Sequence, residues 1–461
     1  MTMSAKAFGS GVLFLAVILF CSIALAEETQ VYDVGPGRAY EAIGEVPWES
    51  LEAGDTVRIH WRSEPYKEKW VICRQGTAGA PITVTGVPGP GGELPVIDGR
   101  DATTRSQLNY WGEERGVIKI GGANVPADTM PRYIIIENLD IRSARPGYTF
   151  TGRAGLTEYR GNAAAIFIEK GENIIIRNVT MRDCGNGFFT ASGSRNVLLE
   201  GCHIWDNGIE NSIYEHNSYT ASDGIIFQFN HYGPLRDGCG GNNLKDRSKG
   251  LVIRYNWIES GNRQLDIVDG GWGDVPDYRE TFAYGNILIE DGIGNRQVVH
   301  YGGDSGNTDR YRKGTLYFYN NTVISTRTGR NTLFRVSSAD EHVDCRNNII
   351  FGTSAGNLFE ITSGDSPGTV AMSHNWLKPG YTLGGGAVSD DGTSVTGSDP
   401  GFMDFAGQDF RLREDSPCID AGTTLHPAVL PRHDVLYQYV KHQGSRPRDD
   451  GEEMDIGAYA R

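Results

Sequence analysis

Ile134-Ile135-Ile136-Glu137-Asn138 returns forty residues on as Ile174-Ile175-Ile176-Arg177-Asn178. The phrase, a few apolar residues, a polar or small one, an Asn and more apolar residues, recurs at Phe-Gln-Phe-Asn230, Val-Ile-Arg-Tyr-Asn256, Phe-Ala-Tyr-Gly-Asn286, Leu-Tyr-Phe-Tyr-Asn-Asn321, Val-Asp-Cys-Arg-Asn-Asn348 and Met-Ser-His-Asn375. Val-Leu-Leu-Glu-Gly201 carries Gly in place of Asn, and the successive steps are 40, 23, 29, 26, 30, 35, 27 and 27 residues. A lone strand of this type cannot bury its apolar face, whereas stacked copies can, so irregular repeats of this length predict a solenoid. Asn tolerates left-handed turns, and stacked Asn side chains can hydrogen-bond from coil to coil. These residues are therefore read as a structural ladder.

The bulk numbers agree. Gly is abundant, at 61 residues, which favours β structure with tight turns. Residues 1–26 read as a secretory signal: Lys6 supplies the charged start, Gly11 to Cys21 is largely apolar, and Ala24-Leu25-Ala26 is a small-x-small cleavage site. No other segment is apolar enough to span a bilayer, so a secreted or periplasmic protein without a membrane anchor is expected. The net charge of −15 makes nucleic acid a poor partner, and any polyanion would need a local basic patch or a bridging cation. Six Cys lie beyond the signal, Cys73, Cys184, Cys202, Cys239, Cys345 and Cys418. Export permits disulfides, with Cys184–Cys202 on successive coils the first candidate and buried free thiols the alternative.

Four segments are expected. After the signal, residues 27–116 form an N-terminal cap and first coils, in which Ala39 to Ser50 is a candidate capping helix. Residues 117–379 form the central helix, and residues 380–461 a C-terminal coil and tail packed on the last coil. Longer excursions at Arg142 to Asn162 and Trp272 to Arg279 should collect on one face and build a groove.

Gly54-Asp55-Thr56-Val57, the Asn-bearing coils, and the end motif Ser416-Pro417-Cys418-Ile419-Asp420-Ala421-Gly422 with Asp455-Ile456-Gly457-Ala458-Tyr459 resemble secreted bacterial right-handed parallel β-helix proteins of the pectate-lyase-like superfamily. The departures are Cys418, where Ala is usual, and Ala460, where an acidic residue is common. The resemblance implies an all-β, single-stranded right-handed parallel β-helix. It does not choose among the polysaccharide lyases, glycoside hydrolases, epimerases and adhesins that share that fold.

The densest polar region runs from Tyr214 to Asp304. Within it Gly261-Asn262-Arg263-Gln264-Leu265-Asp266 is matched by Gly294-Asn295-Arg296-Gln297-Val298-Val299, 33 residues later, so the two should lie on adjacent rungs, with Lys245-Asp246-Arg247 one coil before. Lys, Arg, Asp, His and Tyr on neighbouring rungs suit β-elimination of a uronate polysaccharide. That reaction needs a group to neutralise the carboxylate, a base for the acidified C5 proton and an acid for the leaving oxygen. Lys245 as base, Arg247 or Arg263 as neutraliser and His216 or Tyr219 as acid fill the roles, with Arg263, Arg296, His300, Asp266 and Tyr301 as substrate-binding residues. Alginate-lyase and chondroitinase-B-type members of the superfamily similarly use Lys and Arg with calcium, and only the residue types carry over to Lys245 and Arg247.

Asp269 and Asp304, with Asp274 and Asp277, are candidate oxygen ligands for calcium. Period two sends Lys245 and Arg247 one way and Asp246 the other, while the stretches Leu333-Phe334-Arg335-Val336 and Leu358-Phe359-Glu360-Ile361 would set their polar residue level with Asp246 and His300. Hydrolysis, with Asp246, Asp266 and Asp269 as the carboxyl groups, is the rival. The third reading is a non-catalytic surface protein stacking sugars on Trp205, Trp257, Trp272 and Tyr278. The expected partner is a polysaccharide, bound by a monomer.

Overall fold

A computed structural model of the chain describes residues 1–2, 29–353, 359–363 and 366–461. All but the first two residues of the signal sequence lie outside the described residues. The strands stack in parallel, coil upon coil, in three series. One is an unbroken eleven-stranded sheet from Val96–Asp98 to Val395–Thr396. A second contains Ile82–Val87, Arg132–Glu137, Ser222–Gln228, Lys249–Arg254, Glu280–Tyr284 and Gly314–Tyr319. The third carries Ser218–Thr220, Leu244–Asp246, Leu265–Ile267, Gln297–Tyr301 and Asn331–Val336. Inward residues of all three fill one continuous core of Ile, Val, Leu and Phe, which a single coil could not close.

The repeated Asn residues play two parts. Asn138 and Asn178 sit in the left-handed conformation, at φ 60° and 49°. The equivalent residue on later coils is Phe229, Tyr255, Gly285, Asn320, Asn347 or His374, one place before the Asn of the phrase. From Asn230 onward the phrase's Asn points inward and is wholly buried. The backbone N–H groups of Asn230, Asn256, Asn286, Asn321 and Asn348 each donate to the side-chain oxygen of the next Asn at 2.9–3.0 Å, ending on Asn375. Cys202 opens the ladder by donating its N–H to Asn230 Oδ1. On the earlier coils Leu139 and Val179 occupy the inner place. The ladder satisfies backbone donors at each tight corner, where no sheet partner exists.

Several expectations change. Ala39 to Ser50 holds one 3-10 turn, Ile43–Glu45, instead of a longer helix, and covers the open end by stacking Trp48 on Trp70 at 4.9 Å. The cysteines of the described residues are unpaired, so the Cys184–Cys202 bridge is not formed. Both thiols are buried and donate to backbone carbonyls of Arg182 and Glu200. The tail adds parallel strands at Thr382–Gly384 and Ala387–Asp390 before two antiparallel hairpins. From the first hairpin to the turn of the second it runs back along the outside of the helix: Tyr319 donates to His433 O at 2.6 Å and Gln443 to Gly201 O at 2.8 Å. Trp257 and Tyr278 are buried and cannot stack on a sugar. Arg142 to Asn162 forms a hairpin, Thr149–Gly152 against Gly155–Glu158, and Trp272 to Arg279 ends in the short helix Pro276–Arg279.

Candidate active site

Alternation along the third series sets one column of side chains on the outer face. Phe189, Tyr219, Lys245, Asp266, His300 and Arg335 stand level on six consecutive rungs. Their neighbours Thr220, Asp246, Ile267, Tyr301 and Val336 face the core. Lys245 and Arg247 share a side, as period two requires. His300 joins Lys245's level, not Asp246's, because one extra residue separates Asn295 from Val299 relative to Asn262 and Leu265. The 33-residue step at Asn262–Asn295 thus becomes 34 at Leu265–Val299. Arg335 follows His300, whereas Glu360 pairs with Thr332 and stands off the column.

A groove of about 820 Å³ opens over this column. Arg160, Gly161 and Asn162, at the end of the first excursion, and Ile213, Tyr214 and Glu215 form its wall, and His216, Tyr219, Asn242, Lys245, Arg247, Arg263, Asp266 and Asp304 line it. Lys245 Nζ lies 2.7 Å from Asp266 Oδ2 and 2.6 Å from Asp304 Oδ2. Arg247 donates from Nε to the Tyr219 hydroxyl at 3.0 Å and from Nη2 to both oxygens of Asp304 at 2.9 and 3.2 Å. Four cations (Arg160, Lys245, Arg247, Arg263) thus face three carboxylates (Glu215, Asp266, Asp304) in the groove lining, and Arg160 and Arg247 are further paired with Glu114 at 2.8 Å and Asp269 at 3.4 Å.

The electrostatics follow from burial and pairing. Burial alone would raise Asp266, but the hydrogen bond from His300 and the charges of Lys245 and Arg263 hold its carboxyl well below the usual range. Asp304 is likewise held low, burial being outweighed by Lys245 and Arg247. Arg247 is raised despite burial by Tyr219 and Asp304, and Arg263 is lowered by burial. His216 is pushed down to about 3, by burial first and then by Lys245. Its Nδ1 accepts the Asn242 N–H at 2.9 Å, so the neutral ring carries its proton on Nε2. His216 is therefore a neutral donor at pH 7 and not a charged acid, which leaves Tyr219 as the acid candidate.

Other expected residues fall elsewhere. Tyr301 is fully buried inside the coil and cannot touch substrate. His300 lies behind Asp266, its Nδ1 2.8 Å from Asp266 Oδ1, and supports that carboxylate without lining the groove. Arg296 also stays off the groove lining, while Arg263 lines it and is held by Gln297 at 2.8 and 3.0 Å. Asp246 is fully buried, ion-paired to the equally buried Arg312 at 3.1 Å, and is removed from the hydrolytic candidates.

The proposed calcium ligands do not fit a cation. Asp269 Oδ1 accepts the backbone N–H groups of Asp304 and Ser305, and the Asp304 carboxylate faces Lys245 and Arg247. Among the described residues no group of three or more His, Cys, Asp or Glu is placed to hold a metal. Sequence reasoning missed Asn242, whose side chain donates to Asp266 Oδ2 at 2.8 Å. It also missed Arg312 and the wall residues Arg160 and Asn162. The doubled Asn242-Asn243, with Asn243 inward in a second ladder from Asn217 at 2.7 Å, was the available signal for the first.

Among solved structures the chain is similar to pectate lyase Pel9A, with a TM-score of 0.52, 12% identity, and coverage of 94% of this chain and 96% of that one. The fold is a right-handed parallel β-helix. Further similarities are to the alginate lyase from Paenibacillus sp. str. FPU-7 (TM-score 0.44, 13% identity, 74% and 94% coverage) and to the family 28 exopolygalacturonase of Yersinia enterocolitica (TM-score 0.38, 13% identity, 81% and 79% coverage). No protein-family model and no curated protein sequence matches the chain.

Proposed function

We propose that this β-helix protein is a polysaccharide lyase that cleaves a uronate-containing glycan by β-elimination. The observation that carries the reading is the convergence of Lys245 and Arg247 on one carboxylate, with the Tyr219 hydroxyl on the same guanidinium. A uronate held there would have its carboxylate charge offset by Arg247, which acidifies the C5 proton. Lys245, after passing its proton to solvent, takes the C5 proton. The C5–H electrons form the C4–C5 double bond, the C4–O bond breaks, and Tyr219 protonates the departing oxygen. Phenolate and ammonium then re-equilibrate through water, so no water is consumed. Asp266, Asn242 and His300 orient Lys245.

Hydrolysis is less well supported. It needs one carboxyl kept protonated as an acid, whereas the two charged pairs hold Asp266 and Asp304 low. The signal-like pattern of residues 1–26 supports a secreted or periplasmic enzyme, and we take the monomer as the working unit.

The test is ultraviolet absorbance of unsaturated uronate, with purified protein on alginate, pectate, glycosaminoglycans and bacterial exopolysaccharides, with and without calcium. Rising absorbance that Lys245→Ala lowers by about 10²-fold or more is expected. New reducing ends without absorbance would replace elimination with hydrolysis.

A further inference from the structure

Two carboxylates touch Lys245, and they differ in kind. Asp266 belongs to the sheet, its side chain is 1% exposed, and Asn242, Lys245 and His300 pin it from three sides. Asp304 comes from the turn after Gln297–Tyr301, and its side chain is 33% exposed. Arg247 Nη2 is shared between both its oxygens at 2.9 and 3.2 Å, with the Lys245 ammonium on one of them at 2.6 Å. Two cations on one half-open carboxylate are the charge-assisted setting in which proteins also hold a free carboxylate.

We propose that the Asp304 side chain occupies the seat of the substrate's carboxylate, and that a uronate binds by displacing it. The identity of the displacing ligand rests on the lyase reading, whereas the seat itself rests on the geometry. The exchange needs no loop opening. The turn backbone is fastened by Gly303 N–H to Ser337 Oγ at 3.1 Å and by Asp304 N–H to Asp269 Oδ1 at 2.8 Å. Only the half-open Asp304 side chain has to rotate toward solvent. A neutral sugar offers Lys245 and Arg247 no counter-charge and cannot replace an aspartate there, since stripping a partner from a partly buried cation is costly. Asp304 thereby makes the groove selective for anionic sugars, and it lowers the apparent affinity by the fraction of time that the seat is filled.

Calorimetric titration of sodium D-galacturonate, sodium D-mannuronate and neutral D-galactose into the full chain tests this, with Asp304→Ala, Asp304→Asn and the groove-wall control Glu215→Gln compared at one ionic strength. If the open seat is a minor state of about 10% or less, both Asp304 variants should bind at least one uronate about tenfold tighter or more. Galactose binding should not change, and Glu215→Gln should tighten the uronate less than half as much. Weaker, unchanged or undetectable uronate binding in both Asp304 variants overturns the seat, as does equal tightening by Glu215→Gln, which would mark a general charge effect. Thermal melts confirm that the isosteric Asn variant is folded. Tightening without turnover on any uronate glycan would remove the lyase reading and leave the seat, and turnover without tightening would do the reverse.

Discussion

Asp266 and His300 stand level on adjacent rungs, joined at 2.8 Å, although 34 residues separate them in a motif that repeats after 33. The pair makes Asp266 a buried anion with three partners. Removing the carboxylate leaves His300 and Asn242 without their acceptor and the half-paired Lys245 in a buried position. Asp266→Ala is expected to cost about 3–5 kcal/mol, and Asp266→Asn less, in urea unfolding followed by circular dichroism. A cost for Asp266→Ala below about 1 kcal/mol would show that the network contributes little to the fold.

Tyr219 offers a cleaner separation of chemistry from stability. Its hydroxyl accepts from Arg247, while its ring packs edge-on against Phe189 and His216 at 5.3 and 5.2 Å. Tyr219→Phe keeps the ring contacts. It should lower kcat by about 10²–10⁴ with an unchanged melting temperature. A rise in KM with kcat intact would instead make the hydroxyl a binding group.

The two kinds of Asn predict opposite mutational outcomes. In Asn286→Ala the ladder loses the acceptor for Asn256 and the donor to Ile253 O at 2.9 Å, leaving buried groups unpaired at about 1–3 kcal/mol each. Asn138→Gly relieves a left-handed residue at a half-buried turn and should change stability by no more than about 1 kcal/mol. Equal melting temperatures for the two variants would refute the division of roles.

Acid should destabilise the fold well before the carboxylates titrate. Burial lowers His216 to about 3 and His203 and His433 to about 4, whereas an unfolded chain binds those protons near 6.5. Each neutral ring contributes stability that is complete above about pH 6.5 and is lost as pH falls toward 4. The melting temperature should therefore drop steadily over that window. His433→Phe should flatten the slope, because the ring stacks on Phe282 at 3.8 Å and its Nδ1 has no partner. A flat wild-type profile from pH 7 to 4.5 would contradict the assignment.

How much of the site could be read in advance depends on how local its cause is. Lys245 and Arg247 share a face because alternation is a property of consecutive residues, so both could be named as groove residues from the chain alone. Tyr301 was misplaced because one added residue between Asn295 and Val299 moves every later side chain to the other face. Nothing near His300 in the sequence announces that shift. Asp304 was read from the sequence as a candidate calcium ligand, not as a partner of Lys245 and Arg247. Its contact with two cations 57 and 59 residues away exists because three coils are stacked.

The repeated phrase by itself determined the solenoid, because strands of that length and pattern can bury their apolar face only against copies of themselves. The tertiary structure alone decided the register between coils, and with it which carboxylates meet Lys245, which Asn residues turn inward and where the tail returns. Those outcomes depend on insertions in loops and on contacts between residues far apart in the chain, and no local pattern records either.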